Sequence, residues 1–151
     1  MVIFDSFLRK PFAHRGFYNA DAPENSLASF RNAIMAGFGI ELDVIGLADH
    51  LPVVFHDISL ARLTNRIGTI KDLNLKNLKE VYLKNGEKIP TLEEVLASVD
   101  GNVPILLEIK DGNECFNDPH EEFIIKVAEQ VENYKGPIAV MAFNPSVVSK
   151  L

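Results

Sequence analysis

Short apolar runs alternate with segments of helical periodicity along this 151-residue chain. The apolar runs occupy residues 12–14, 40–44, 53–55, 103–109 and 138–143. Such alternation is typical of parallel βα units rather than hairpins, because a helix between two strands carries the chain back to start a parallel neighbour. The chain is therefore predicted to be an α/β protein whose five strands make just over half of a (β/α)8 barrel.

Apolar residues at three- and four-residue spacing predict the helices between these strands. In the first helix they fall at positions 27, 30, 34 and 38, with Asn25 or Ser26 as the N-cap and Gly37 near the end. Thr91 and Glu94 form a capping box that starts a second helix. A further amphipathic helix is predicted at about residues 121–134.

Residues 58–90 interrupt the alternation, since they are polar and irregular and contain one short helical pattern at residues 75–83. We expect this stretch to be an insertion at the mouth of the barrel. No repeat or linker divides the chain, so residues 1–151 are predicted to form one domain. A complete barrel takes about 250 residues, and the domain is therefore expected to be truncated after about five βα units.

The formal net charge of −6 argues against a nucleic-acid partner, because binding phosphates along a duplex requires a surplus of Lys and Arg. No apolar run approaches the length of about 20 residues that a membrane span needs. No transmembrane segment is therefore predicted. Residues 1–10 also lack the apolar core of a signal peptide. We expect a cytoplasmic protein.

Acidic residues lie within two of the predicted strands. Because side chains alternate across a strand, Glu41 and Asp43 share one face, and Glu108 shares a face with Lys110. Three carboxylates meeting at the ends of parallel strands would form a hard oxygen site suited to Mg²⁺ or Ca²⁺. The alternative is that these acids are charges at loop edges, each paired with Lys or Arg.

Two histidines, His14 and His56, follow predicted strands at the end where barrel active sites are built. Such a pair can divide proton transfer, one ring accepting a proton from a nucleophile and the other protonating a leaving group. Arg15 supplies a planar donor suited to phosphate oxygens, and Lys110 adds a point charge. The alternatives are structural histidines and an arginine in a surface ion pair.

Several short motifs follow one another in an order that resembles the glycerophosphodiester phosphodiesterase family. Each motif is weak by itself, and the ordered set is specific. The resemblance extends from about residue 12 to residue 143, which corresponds to the first five βα units of the family. The motifs are Ala13-His14-Arg15-Gly16, Pro23-Glu24-Asn25-Ser26, Glu41-Leu42-Asp43, Pro52-Val53-Val54-Phe55-His56-Asp57, Arg62-Leu63-Thr64, Gly68, Ile89-Pro90-Thr91-Leu92 and Glu108-Ile109-Lys110.

The resemblance implies a role for each candidate residue. It implies that Glu41, Asp43 and Glu108 bind a divalent cation. It implies that His14 and His56 are the acid/base pair, and that Arg15 and Lys110 bind the phosphate. It implies supporting roles beside them for Glu24, Asn25 and Asp57. The sequence departs from the family at residues 47–50, where a turn must form without glycine, so His50 is predicted to be a turn residue.

The implied activity is hydrolysis of glycerophosphodiesters to glycerol 3-phosphate and an alcohol, by attack of the neighbouring glycerol hydroxyl and opening of a cyclic phosphate by water. One alternative is a phosphodiesterase of the same superfamily that resembles phospholipase D or C. Another is an inactive half-barrel that acts only as an interaction module. Expected partners are the small-molecule substrate and either a second copy of the chain or a complementing C-terminal half.

Overall fold

The computed structural model of the protein describes residues 7–110 and 121–150. Within these ranges the strands are β1 (Phe12–Ala13), β2 (Gly39–Gly46), β3 (Pro52–Val54), β4 (Ile105–Lys110) and β5 (Ile138–Met141). The α-helices are α1 (Leu27–Ala36), α2 (Leu75–Leu78), α3 (Leu92–Val99), α4 (Glu121–Asn133) and α5 (Pro145–Val148), and residues Ile70–Asp72 form a 3-10 turn. None of the helices in the described ranges has the length and apolarity to cross a membrane.

Four strands form a parallel sheet in the order β1-β2-β4-β5. Helices α1, α3 and α4 each lie between two strands that are neighbours in this sheet. The strand order never reverses, which is the order of a barrel rather than of a doubly wound sheet. The predicted parallel βα architecture is confirmed for these strands.

The third strand is not part of that parallel series. β3 pairs antiparallel with β2, with Val44 opposite Val54 and Gly46 opposite Pro52. The prediction of βα units without hairpins is wrong here, because only five residues separate the two strands and a parallel crossover needs about a dozen. The turn places His50 in the left-handed region at φ 59°, so the predicted turn residue is confirmed.

The main hydrophobic core lies between the sheet and its helices. All eight residues of β2 are buried, and its even-numbered side chains pack with Phe30 of α1 and Leu92 of α3. The odd-numbered positions Glu41 and Asp43 therefore face the opposite side of the sheet, as predicted. In a barrel, that side is the interior.

Helix α1 begins and ends where the sequence predicts. The Ser26 hydroxyl accepts a hydrogen bond from the backbone N–H of Ser29, and Gly37 ends the helix at φ 73°. These caps identify Ser26, not Asn25, as the N-cap residue. Asn25 is thereby left with a side chain that is free to reach the sheet.

Residues 58–90 contribute to a second apolar cluster. Leu60, Ile70 and Val81 are buried there against Val53 and Phe55 of the hairpin. The segment therefore buries several apolar side chains, although its sequence is largely polar. Its helix α2 ends at Leu78 rather than continuing to residue 83. Residues 82 and 83 form isolated β-bridges instead. That this segment is an insertion in the barrel stays a prediction from sequence.

Candidate active site

Three carboxylates converge on the interior face of the sheet. Glu41, Asp43 and Glu108 each present a carboxylate oxygen within 4.8 Å of the other two, and all three residues are buried. The register explains this, because Asp43 and Glu108 are directly opposed on parallel strands and Glu41 lies two residues earlier on the same face. The predicted convergence is confirmed.

The chemistry of this cluster fits a hard divalent cation. Burial raises the pKa of Glu41, and the nearby negative charges of Asp43 and Glu108 raise it further, although a hydrogen bond from the Arg15 backbone opposes them. Carboxylates at such mutual distances are disfavoured in their charged form unless a cation is shared. Oxygen donors of this kind are the ligands that Mg²⁺ and Ca²⁺ prefer.

The loop after β1 and the turn before α1 both support the carboxylates. The backbone N–H of Arg15 donates to Glu41 Oε2 at 2.9 Å. The Asn25 side chain donates from Nδ2 to Asp43 Oδ2 at 2.9 Å, and its Oδ1 accepts from the Asp43 backbone N–H at 3.3 Å. Asn25 therefore holds Asp43 from both sides, which is consistent with the supporting position predicted for it.

Two cations lie against the same carboxylates. Lys110 Nζ is 2.5 Å from Glu108 Oε1 and 3.3 Å from Asp43 Oδ1. Burial lowers the pKa of Lys110, but the hydrogen bond to Glu108 and the charge of Asp43 outweigh burial and raise it overall. Arg15 Nε lies 3.4 Å from Asp43 Oδ2 and is buried without a hydrogen-bond partner among the described residues.

The two histidines occupy different settings at this site. His14 is largely exposed, and its Nε2 lies 3.9 Å from Glu41 Oε2. His56 follows the hairpin, where the Phe55 backbone N–H donates to the Asp43 carbonyl, and its Nδ1 is 2.7 Å from Asp57 Oδ1. The hairpin, not a parallel strand, therefore places the residue before His56 beside the Asp43 backbone.

Arg62 also belongs to the site, although its motif alone predicts no role for it. Its guanidinium donates to both oxygens of Glu24 at 2.7 and 2.8 Å, and to both oxygens of Asp57 at 2.6 and 2.9 Å. Glu24 also accepts a hydrogen bond from Arg15 Nη1 at 2.8 Å. All ten predicted site residues thus belong to one contact network. Arg62 connects its two parts, because it binds Glu24 on one side and Asp57 on the other.

Comparison with known proteins agrees with the resemblance seen in the motifs. The model of the glycerophosphoryl diester phosphodiesterase family matches residues 14–151. A glycerophosphodiester phosphodiesterase of Bacillus altitudinis is 38% identical over 136 residues, which are 85% of this chain and 54% of the relative. Glycerophosphodiester phosphodiesterase 1 of Bos taurus is 33% identical over 150 residues, which are 92% of this chain and 44% of the relative. The chain spans about half the length of these curated relatives.

Solved structures match the same architecture. A phosphodiesterase of Oleispira antarctica, in complex with the product sn-glycerol-3-phosphate, has a TM-score of 0.82 at 31% identity, covering 97% of this chain and 62% of that one. A glycerophosphodiester phosphodiesterase of Thermotoga maritima has a TM-score of 0.73 at 35% identity, covering 91% of this chain and 55% of that one. The predicted fold class is confirmed as part of a (β/α)8-type barrel.

Proposed function

Since this chain belongs to the glycerophosphoryl diester phosphodiesterase family, we propose that it serves in hydrolysis of glycerophosphodiesters to glycerol 3-phosphate and an alcohol. The observation that carries the proposal is the buried cluster of Glu41, Asp43 and Glu108, with two cations against it. A cluster of this composition has both the anionic ligands for a metal and the cations for a phosphate.

Glu41, Asp43 and Glu108 would hold a divalent cation, Mg²⁺ or Ca²⁺, through carboxylate oxygens. When bound, such an ion neutralises charge on non-bridging phosphate oxygens and acidifies a nearby hydroxyl. Asn25 keeps the Asp43 carboxylate oriented through its two hydrogen bonds. The burial of the cluster strengthens its attraction for a cation by excluding water.

Arg15 and Lys110 would bind the phosphate. The Arg15 guanidinium is held by Glu24 and has a buried Nε without a hydrogen-bond partner in the described part of the chain. A phosphate bound beside the metal would offer its oxygens as acceptors to this guanidinium. Lys110 lies at the end of β4 beside the same carboxylates, so both cations border the place where a phosphate would meet the metal.

The two histidines would move protons during the reaction. The glycerol hydroxyl next to the phosphoester attacks phosphorus and loses its proton to one imidazole, and the other imidazole protonates the departing alcohol. Water then opens the cyclic phosphate with the two roles reversed. We assign the base in the first step to His56, because an Asp57 carboxylate at Nδ1 leaves Nε2 with its lone pair. His14 is then the acid.

The glycerol 3-phosphate bound to the Oleispira antarctica relative supports a glycerophosphodiester rather than another phosphodiester as substrate. The proposed reaction would leave the same product.

The proposal is tested by following glycerophosphocholine with phosphorus NMR. Two forms are compared: the 151-residue chain, and a barrel completed with the C-terminal portion of the Bacillus altitudinis relative. We expect Mg²⁺- or Ca²⁺-dependent release of glycerol 3-phosphate that a chelator stops. His14→Ala and His56→Ala should each lower turnover by roughly 10²–10⁴-fold, whereas His50→Ala, at the hairpin turn, should not. Equal turnover with and without chelator would refute the metal role.

A further inference from the structure

Arg62 lies in a segment that would otherwise be classed as peripheral. It belongs to residues 58–90, outside the parallel sheet, and its side chain is 46% exposed. Nevertheless its guanidinium makes four hydrogen bonds to two carboxylates, Glu24 and Asp57. Two bidentate contacts use the planar fork of arginine in a way that the single ammonium of lysine cannot reproduce.

One carboxylate connects Arg62 to His56. Asp57 Oδ2 accepts a hydrogen bond from Arg62 Nε, and Asp57 Oδ1 lies 2.7 Å from His56 Nδ1. Asp57 is ionised at neutral pH and can only accept hydrogen bonds, and the two hydrogen bonds from Arg62 hold its carboxylate in place beside Nδ1. His56 must therefore carry its proton on Nδ1 when neutral, which leaves Nε2 as the proton acceptor.

The other carboxylate connects Arg62 to Arg15. Glu24 Oε1 accepts a hydrogen bond from Arg62 Nη2 at 2.7 Å and another from Arg15 Nη1 at 2.8 Å. Hydrogen bonding by Arg62 lowers the pKa of Glu24, and Arg15 lowers it further, so Glu24 stays ionised between the two guanidinium groups. The orientation of Arg15 toward the carboxylate cluster thus depends on a residue that Arg62 holds.

The backbone around Arg62 is fixed by its own turn. The Thr64 backbone N–H and hydroxyl both donate to the Leu60 carbonyl, at 3.0 and 2.8 Å. Leu60 and Thr64 are both buried, Leu60 in the apolar cluster shared with the hairpin. The turn therefore presents Arg62 from a rigid base, which is what positioning two functional groups requires.

We propose that Arg62 is a positioning residue that orients the proton acceptor His56 through Asp57 and the phosphate ligand Arg15 through Glu24. This inference rests on the proposed function for the roles of His56 and Arg15. It gives residues 58–90 a definite task, which is to deliver one guanidinium to the site. Within the described part of the chain the Arg62 side chain hydrogen-bonds to Glu24 and Asp57, not to Glu41, Asp43 or Glu108.

The test compares Arg62→Gln and Arg62→Lys with the matched control Arg66→Gln, which removes the same charge from an exposed position in the same segment. Nitrogen NMR of the His56 ring in the 151-residue chain reports which nitrogen carries the proton. Titration with glycerol 3-phosphate in the presence of Mg²⁺ measures phosphate binding, which depends on the orientation of Arg15. Titration with Mg²⁺ alone measures metal binding by the three carboxylates. Turnover is measured on whichever form is active.

Without Arg62 neither oxygen of Asp57 is held, so the carboxylate can turn away from His56 Nδ1. We therefore expect Arg62→Gln to populate the Nε2–H form of His56, to weaken glycerol 3-phosphate binding and to lower turnover by roughly 10–100-fold, the usual cost of losing an orienting partner. Mg²⁺ affinity should stay within about twofold, because Arg62 does not touch the three carboxylates. Arg62→Lys should behave like Arg62→Gln, since one ammonium cannot replace the fork.

An unchanged His56 spectrum in Arg62→Gln would overturn the inference, even if that variant were less stable, because a merely structural role leaves the tautomer alone. Arg62→Lys would also overturn the inference if it kept the His56 tautomer, ligand binding and turnover of the unsubstituted protein. That result would mean that a single ammonium can replace the guanidinium. Failure of the proposed function would be recognised by a different result, the absence of metal binding or turnover in the unsubstituted protein. The His56 spectrum would still test the role of Arg62 in that case.

Discussion

Arg15 and Asn25 adopt left-handed backbone conformations beside the candidate metal ligands, at φ 59° and 56°. This region costs a residue with a side chain roughly 1–2 kcal/mol, although asparagine tolerates it better than most. Glycine would remove the cost but also the functional groups. The conformation of Arg15 aims its N–H at Glu41, and that of Asn25 sets its amide on Asp43. The strain is therefore retained where the orientation of two carboxylates depends on it.

Glu41→Gln separates metal binding from folding. Burial raises the pKa of Glu41, which means that its charged form is disfavoured in the folded, metal-free protein. We expect this variant to unfold at a higher urea concentration than the unsubstituted protein when both are in chelator at neutral pH. Its Mg²⁺ affinity should fall by at least about 100-fold, since a ligand matters at least as much as its outer partners. The exposed Glu93→Gln should change neither quantity, and unchanged Mg²⁺ binding in Glu41→Gln would contradict the assignment.

Asp57→Asn tests the ion pair with Arg62 through pH. The folded pKa is about 2 and the ordinary value is 3.8, so the stabilisation is present above about pH 4 and is lost as pH falls through 2. We expect the variant to be less stable by about 1–2 kcal/mol at pH 7, allowing for the partial exposure of Arg62. Urea unfolding from pH 7 to 2 should show the difference shrinking below about pH 4. The exposed Asp21→Asn should give no such trend, and a difference independent of pH would argue against the ion pair.

At the scale of elements, sequence patterns correctly predicted the features that depend on neighbouring residues. The period-2 alternation correctly placed Glu41 and Asp43 opposite the apolar side chains of β2, and capping residues located the ends of α1. Both features depend on residues within a few positions of one another. The roles of the ten predicted site residues stay predictions, although their assembly in one network agrees with the motif order.

Features that depend on distant contacts were predicted poorly. The apolar character of β3 was recognised, but its direction follows from the five-residue connection to β2, a length that already excluded a parallel crossover. Arg62 was visible in its motif, but nothing local shows that it meets Glu24, 38 positions earlier. Pairing of a charged residue far from its partners is decided by tertiary packing, which short patterns do not contain.

Gly16 joins the loop after β1 to helix α1, and alanine there should be costly. At φ 82° a side chain is strained, and a new Cβ would lie 2.8 Å from Ser29 Cβ and 3.0 Å from the Phe30 ring. Gly37 is the matched control, because it has a similar φ of 73° but open space around the added carbon. We expect Gly37→Ala to cost about 1 kcal/mol and Gly16→Ala to cost about 1–3 kcal/mol more through overpacking. Equal losses in urea unfolding would mean that the contact with α1 relaxes freely.

At the scale of the whole molecule, the sheet has one strand with little cover. Three residues of β5 are half-buried and Met141 is exposed, in contrast to the complete burial of β2, and within the described ranges β5 pairs only with β4. Phe143, just beyond β5, is 83% exposed. In the family to which the chain belongs, about half of each curated relative lies outside the matched region. An apolar strand with an open edge is a template for pairing with another chain.

A polypeptide of these 151 residues, produced alone, is therefore expected to self-associate through β5. Its weight-average mass in sedimentation should rise above the monomer value of 16.8 kDa with concentration, and it should bind hydrophobic dyes. Met141→Lys should reduce both effects, because a charge on an edge strand opposes pairing with a second edge. The control is Met35→Lys, which adds the same charge to a residue that is 78% exposed and lies on α1, between β1 and β2, at the other end of the strand order from β5. Completing the barrel with the C-terminal portion of a relative should abolish the association by covering β5. A concentration-independent monomer of the chain alone, with no dye binding, would show that the edge of β5 is tolerated in water and that the exposed strand needs no partner.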